Sequence, residues 1–448
     1  MRRAALAVIA GGFVAVHNTG RAEVRPDKAE AIETRTAADS TTRFTVAGIP
    51  VILRRVSSND VVSANVYLLG GVRQVTEETA GIEPFLLDVS ERGTRHYPRD
   101  VLRQTMARLG TTIVVEPDID WTVLGVRSTS GTLDGTWAVM ADRLMAPRLD
   151  SVDVELVRAQ YRSAVRQHQD SPDALVQELA DSAAYPGDPY GRALEGTERS
   201  ISAITRDQLR DYQTSQMVRS RMVIVVVGNT TAAHIERLVQ QTLARLPEGT
   251  YKWTIPSEPA PITDALVARD RALPTNYILG YFHGPPASSA DYQALRLATS
   301  ALSGQLFEEV RTRRNLSYAV NAPFLERAVS AGGLYVTTVA PDSVLDIMRR
   351  SIRLMQTESV DPVALRRLVQ QFITQYFLDN ETDADQANFL ARAELYRGDY
   401  RVATHFVDEL REVTPADIQR VAKTYMKNVA IAYVGDTTKV SRGLVNKF

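Results

Sequence analysis

The chain opens on apolar positions set at strand spacing. Phe44 to Val56 contains strand-like runs around Gly48-Ile49-Pro50, and Val61 to Leu69 (VVSANVYLL) is another strand, ended by Gly70-Gly71. Residues 81 to 94 take up a helical pattern, and Leu102 to Leu109 forms a helix that stops at Gly110. Thr112 to Val115 and Trp121 to Val126 read as strands on either side of the Glu116-Pro117 break. Trp137 to Met145, Val154 to about His168 and Ala174 to Ala184 read as helices, the last followed by a turn-rich loop, Tyr185 to Gly191. Thr205 caps a further helix (ITRDQLRDYQ), and Met222 to Val227 is a continuous apolar strand closing at Gly228.

The order then repeats. Thr205-Arg-Asp-Gln-Leu209 opens a helix before MVIVVVGNTT, and Thr414-Pro-Ala-Asp-Ile418 opens one before VAIAYVGDTT, with an offset of 207 between the strands. A period of a whole domain indicates an internal duplication. Between the copies, PEGTYKWTIPSEPAP (residues 247–261) is rich in Pro and polar residues and reads as a linker. The predicted units are therefore 41–246, the linker 247–261, and 262–448. Each half mixes strands with amphipathic helices in no strict βαβ order. That predicts an α+β fold of two homologous tandem domains, each a largely antiparallel sheet covered by helices.

One stretch of the second half stands out, Leu306 to Val320 (LFEEVRTRRNLSYAV). Leu306, Phe307 and Val310 share a helical face, acids come early and cations late, and Asn315 sits where a helix takes a left-handed stop. Leu316 to Val320 reads as a short strand. Arg311 and Tyr318 lie seven residues apart across the junction, close enough to face one cavity. On its local pattern alone, the stretch is also a helix end dressed with solvated arginines.

Composition narrows the classes. The 448 residues are 44% apolar and 23% charged, with a net charge of −1, which gives no basic excess for nucleic acid. Cysteine is absent, so disulfides, thiolate metal sites and a Cys nucleophile are excluded together. Met1-Arg2-Arg3, the apolar run Ala4 to Val16 and the small residues around Gly20-Arg21-Ala22 predict a secretory signal over 1–22, followed by a polar lead-in over 23–40. Export, to a periplasm, is the expected localisation. No later stretch has 18 consecutive apolar residues, so no transmembrane helix is expected.

Local motifs exclude more than they assign. The six histidines, His17, His96, His168, His234, His283 and His405, show no pair within four residues, and HExxH, HxxEH, GxSxG and GxxxxGK[ST] are absent.

The repeat, the linker and the Leu306 to Val320 stretch together resemble the M16 (pitrilysin-like, inverzincin) metallopeptidases, and more narrowly the short bacterial members and the mitochondrial processing peptidase subunits. That family carries G-L-x-H-x-x-E-H-x-x-x-x-G-T in its first half. The corresponding stretch is Gly81-Ile-Glu-Pro-Phe-Leu-Leu-Asp-Val-Ser-Glu-Arg-Gly-Thr94. Its frame is kept, but Pro84 stands at the first His, Leu87 at the general-base Glu and Asp88 at the second His. The further Glu ligand should fall near Ser163-Ala164, where Ala164 offers nothing to a metal. The resemblance thus implies no metal bound by this chain. It also implies an edge strand for pairing with extended substrate, here Thr112 to Asp118, which Pro117 would interrupt.

In the second half the family's R-x6-Y spacing is kept as Arg311 and Tyr318, with Asn315 in place of the usual Gly. The resemblance implies that the Arg positions substrate backbone and that the Tyr hydroxyl donates to the oxyanion, both across a closed chamber. The expectation is a zinc-free subunit, half of a clamshell chamber, inactive alone. It would supply Arg311 and Tyr318 in trans to a catalytic M16 partner that carries HxxEH and zinc, for hydrolysis of unfolded peptides. The alternative is a non-catalytic peptide-binding or scaffold pseudopeptidase. A zinc peptidase active alone is disfavoured by Pro84, Leu87, Asp88 and Ala164.

Overall fold

A computed structural model describes residues 41–262, 266–445 and 448; the expected signal and lead-in, 1–22 and 23–40, lie outside the described residues. Residues 40–448 form one compact unit. Among the described residues the strands form two six-stranded sheets. The first joins β1 (Thr41–Val46), β2 (Ile49–Arg55), β3 (Val61–Leu69), β4 (Thr112–Pro117), β5 (Trp121–Thr129) and β6 (Met222–Gly228) in the order β1-β2-β6-β3-β5-β4. The second joins β7 (Leu266–Asp270), β8 (Asn276–Pro286), β10 (Phe324–Leu325), β11 (Val329–Thr338) and β12 (Ala430–Gly435) in the order β10-β11-β8-β12-β7, with β9 (Val320–Asn321) also on β11.

The duplication is visible in the pairing. In each sheet all neighbours are antiparallel except one pair, β2 with β6 and β7 with β12. By role β7 matches β2, β12 matches β6, β8 matches β3 and β11 matches β5. The two strands with the sequence repeat, β6 and β12, thus hold equivalent central places. Thr205 and Thr414 each close a capping box at the helix before them.

Each sheet hides one face under helices of its own half. Phe85, Leu86, Trp137 and Val157 cover the first sheet, and Leu295, Leu302, Met348 and Val421 cover the second. The other faces are covered reciprocally. The helix Pro172–Ala184 of the first half lays Leu175, Val176, Ala180 and Ala183 against Leu279, Tyr281, Ala430 and Ala432 of the second sheet. The helix Asp383–Arg397 of the second half lays Ala387, Leu390, Ala391 and Tyr396 against Ile52, Tyr67, Val225 and Val227 of the first. Small residues let these helices approach the sheets closely. Polar bonds fix the crossings: Tyr67 Oη donates to Asn388 Oδ1 at 2.6 Å, Tyr396 Oη to Asp120 Oδ2 at 2.9 Å, and Arg327 Nη2 to Asp181 Oδ1 at 2.8 Å.

The segment read as a linker is fastened. Trp253 Nε1 donates to the Leu395 carbonyl at 2.9 Å and its ring lies 4.7 Å from the Arg73 guanidinium. Two local expectations change. The first edge strand runs through Glu116 and Pro117, which pairs with Thr122, because a missing N–H costs little at the end of an edge strand. Leu316 to Val320 is not a strand; only Val320 and Asn321 pair, after a bend in which Ser317 Oγ accepts from the Ala319 N–H at 3.0 Å. No described helix is long and apolar enough to cross a membrane.

Candidate functional site: a vacated frame and an exposed Arg–Tyr pair

The first site is built on the helix Ile82–Ser90. Gly81 precedes it at φ 83°, in the left-handed region, because a Cβ there would stand 2.5 Å from the Glu195 carbonyl oxygen. Pro84 falls in the first turn, where its missing N–H has no helical partner to lose. Both Pro84 and Leu87 are buried. Four further contacts hold the helix. Arg143 donates to the Leu87 carbonyl at 2.9 Å and Ser90 Oγ at 3.1 Å, Ser200 Oγ donates to the Ala80 carbonyl at 2.9 Å, and Arg221 Nη2 reaches Glu83 Oε2 at 2.9 Å.

Asp88 is the polar survivor. Tyr161 Oη donates to its Oδ2 at 2.8 Å. Burial pushes the Asp88 carboxyl above the ordinary carboxylate range, only partly offset by that hydroxyl, with Glu91 and Glu195 adding to the rise. Burial and then the facing carboxylate push the Tyr161 phenol well above its ordinary value. Ionisation of either group is therefore harder here than in water. Ala164, the position named for the further ligand, is exposed, whereas Tyr161 of the same helix touches Asp88. Sequence register missed Tyr161. The signal was its spacing of four and seven from Val157 and Val154, both in the core.

The donor set does not fit zinc. Pro84 and Leu87 supply no ligand atom, and Asp88 is committed to a phenol. Among the described residues no group of three or more His, Asp or Glu side chains could hold a metal ion. Beside the frame lies a cavity of about 640 Å³ between the end of the helix Ser151–Asp170, the 190–197 loop and Phe324–Arg327. Leu194 and Asp118 line both this cavity and a small recess at Gly81 and Pro84. Arg192 faces the cavity, anchored by donating to the Val72 and Val75 carbonyls at 3.2 and 2.8 Å.

The second site is built on the helix Asp291–Leu306, which does not simply stop. Its last turn, Phe307–Thr312, is a π-turn in which the Arg313 N–H bonds to the Glu308 carbonyl at 2.9 Å. Asn315 then takes φ 49°, as its place in the sequence predicted, and the Leu316 N–H closes on the Val310 carbonyl at 2.9 Å. This arrangement brings Arg311 and Tyr318 together. The Arg311 guanidinium lies 4.8 Å from the Phe307 ring centre and 5.6 Å from that of Tyr318. Tyr318 is 80% exposed and Arg311 is half-buried.

The chain matches two family models, "Insulinase (Peptidase family M16)" over residues 50–198 and "Peptidase M16 inactive domain" over residues 203–372. It belongs to the M16 peptidase family. An uncharacterized zinc protease of Mycobacterium tuberculosis is 26% identical over 303 residues, covering 64% of this chain and 67% of that protein. The beta subunit of the mitochondrial-processing peptidase of Blastocladiella emersonii is 23% identical over 393 residues, 83% of each. Among solved structures, a peptidase M16 inactive domain from Pseudomonas fluorescens superposes with a TM-score of 0.81 at 17% identity, covering 88% of this chain and 98% of that one. The contacts of the Ile82–Ser90 helix fasten the core of the first half.

Proposed function

We propose that this chain is the zinc-free subunit of a heterodimeric M16 metallopeptidase, lending Arg311 and Tyr318 to a zinc site on a partner that carries HxxEH. The observation that carries the reading is the contrast between the two sites. The first frame carries Pro84 and Leu87, which offer no ligand atom, whereas the second sets Arg311 against the exposed Tyr318 ring. A guanidinium would hold the substrate backbone and a phenol would donate to the developing oxyanion. The substrate class is unfolded peptide in extended form, and the chain is inactive alone. The N-terminal segment fits an exported, periplasmic protein.

The test is to combine the chain with M16 chains that carry HxxEH, one at a time, and follow a quenched fluorescent peptide. Tyr318→Phe keeps the ring under Arg311 and removes only the hydroxyl. It should lower kcat by about 10²–10³, the cost of one oxyanion donor, without changing the thermal midpoint. Activity indifferent to both Tyr318→Phe and Arg311→Ala would refute the proposal. A second reading, a peptide-binding pseudopeptidase, is favoured by the cavity of about 640 Å³ beside the vacated frame. It predicts peptide binding by the chain alone that Arg192→Ala weakens and Tyr318→Phe leaves intact.

A further inference from the structure

The turn after the helix Asp291–Leu306 carries two glutamates and three arginines, and the acids are distributed unevenly among them. Arg313 Nε and Nη1 reach Glu308 Oε1 at 3.1 Å and Glu309 Oε1 at 2.8 Å. Arg314 Nη1 reaches Glu309 Oε2 at 2.5 Å and donates to the Glu309 carbonyl at 2.8 Å. Arg311 shares in none of these; its contacts are the two rings. This is not what an α-helix would give. There Glu308 and Arg311, three residues apart, would face each other and pair. In the π-turn the i→i+5 bond lines Glu308 up with Arg313, which takes the acid that Arg311 would otherwise meet. Phe307, four residues before Arg311, lies beneath its guanidinium.

We propose that Arg313 and Arg314 are positioning residues for Arg311. By occupying Glu308 and Glu309 they keep the Arg311 donors open for an incoming peptide carbonyl, while Phe307 and Tyr318 hold the plane of the guanidinium. A free arginine three residues from an acid on an ordinary helix would be captured and turned from its target. Here two neighbours pre-empt the capture. This deepens the trans-acting reading and rests on it for its purpose, but it can be tested without a partner.

The experiment is limited phenylglyoxal modification of the full chain, with the rate at each arginine read by peptide mass spectrometry. In the wild type, Arg311 should react faster than Arg313 and Arg314. In R313Q/R314Q the released glutamates should capture Arg311 and slow its modification by about two- to fivefold, the range spanned by one surface ion pair. Adding E308Q/E309Q should restore the rate, and R313K/R314K should leave it as in the wild type. The side chains changed at 313 and 314 are 61% and 41% exposed, so the variants keep the fold. An Arg311 rate unchanged in R313Q/R314Q, or a fall that E308Q/E309Q does not reverse, overturns the proposal. If the reactivities behave as stated while peptidase activity ignores Arg311→Ala, the trans-acting reading fails and the positioning role stands.

Discussion

Glu83 is one of the residues that fasten the helix Ile82–Ser90, and replacing it by Leu puts a number on that role. Its side chain is 4% exposed and that of Arg221 is 1% exposed, 2.9 Å apart. The same Oε2 accepts from Tyr212 Oη at 2.9 Å. Glu83→Leu strands a buried guanidinium, which costs about 3–5 kcal/mol when a buried pair is broken from one side. Arg221 keeps two carbonyl acceptors, Leu69 at 2.8 Å and Gln216 at 3.1 Å, which argues for the lower end. The orphaned Tyr212 hydroxyl adds about 1 kcal/mol or more. A chain of this size need not unfold in one step, so the readout should be local: hydrogen exchange of the amides of residues 82–90. Three to five kcal/mol corresponds to about a hundred- to a few thousand-fold loss of protection. In Glu83→Leu/Arg221→Met both charges are gone, and at least half of the loss should return. A fall below about tenfold for the single variant, or a double variant no better than the single, would refute the anchoring role.

Two further outcomes follow from the same region. Asp88→Asn keeps an acceptor for Tyr161 and removes a carboxylate whose folded pKa is raised; such a group stabilises fully below its unfolded pKa and loses that contribution as pH rises through the folded value. The variant should therefore melt above the wild type at neutral pH, with the difference closing as pH falls toward about 4, and a wild type more stable at pH 7.5 would contradict the assignment. Gly81→Ala asks a side chain to adopt φ 83° with its Cβ 2.5 Å from the Glu195 carbonyl oxygen. It should cost about 2 kcal/mol or more in thermal stability, and a neutral result would mean the 195–196 loop yields freely.

Pattern reading found what local chemistry dictates. The duplicated strands, the two threonine caps and the Asn315 stop are each set by residues within a few positions of one another, and all stand in the structure. It could not find what depends on residues far apart. The exchange of the helices Pro172–Ala184 and Asp383–Arg397 pairs Leu175 with Ala430, and no periodicity encodes which sheet an alanine-rich helix face will meet. The π-turn was equally hidden, because LFEEVRT also satisfies an α-helical pattern. At the candidate site the sequence singled out Arg311, Tyr318 and positions 84, 87 and 88; it named Ala164, which is exposed, and passed over Tyr161, which bonds Asp88.

That difference can be turned into a reconstruction. If the frame is sound and only its ligands are gone, P84H/L87E/D88H would place two imidazoles one helical turn apart, four residues from each other, on the face that now meets Tyr161. Two ligands do not hold zinc, since sites of this kind take three from the protein. The sequence register would supply the third as Ala164→Glu; the structure supplies it as Tyr161→Glu, because Tyr161 touches both Phe85 and Asp88 whereas Ala164 faces solvent. Zinc measured by elemental analysis after dialysis should stay well below one per chain in P84H/L87E/D88H and in its combination with A164E, and approach one per chain with Y161E. Stoichiometric zinc with A164E, or none with Y161E, would mean that the helix Ser151–Asp170 is not set over the vacated frame in the way the Asp88–Tyr161 bond requires.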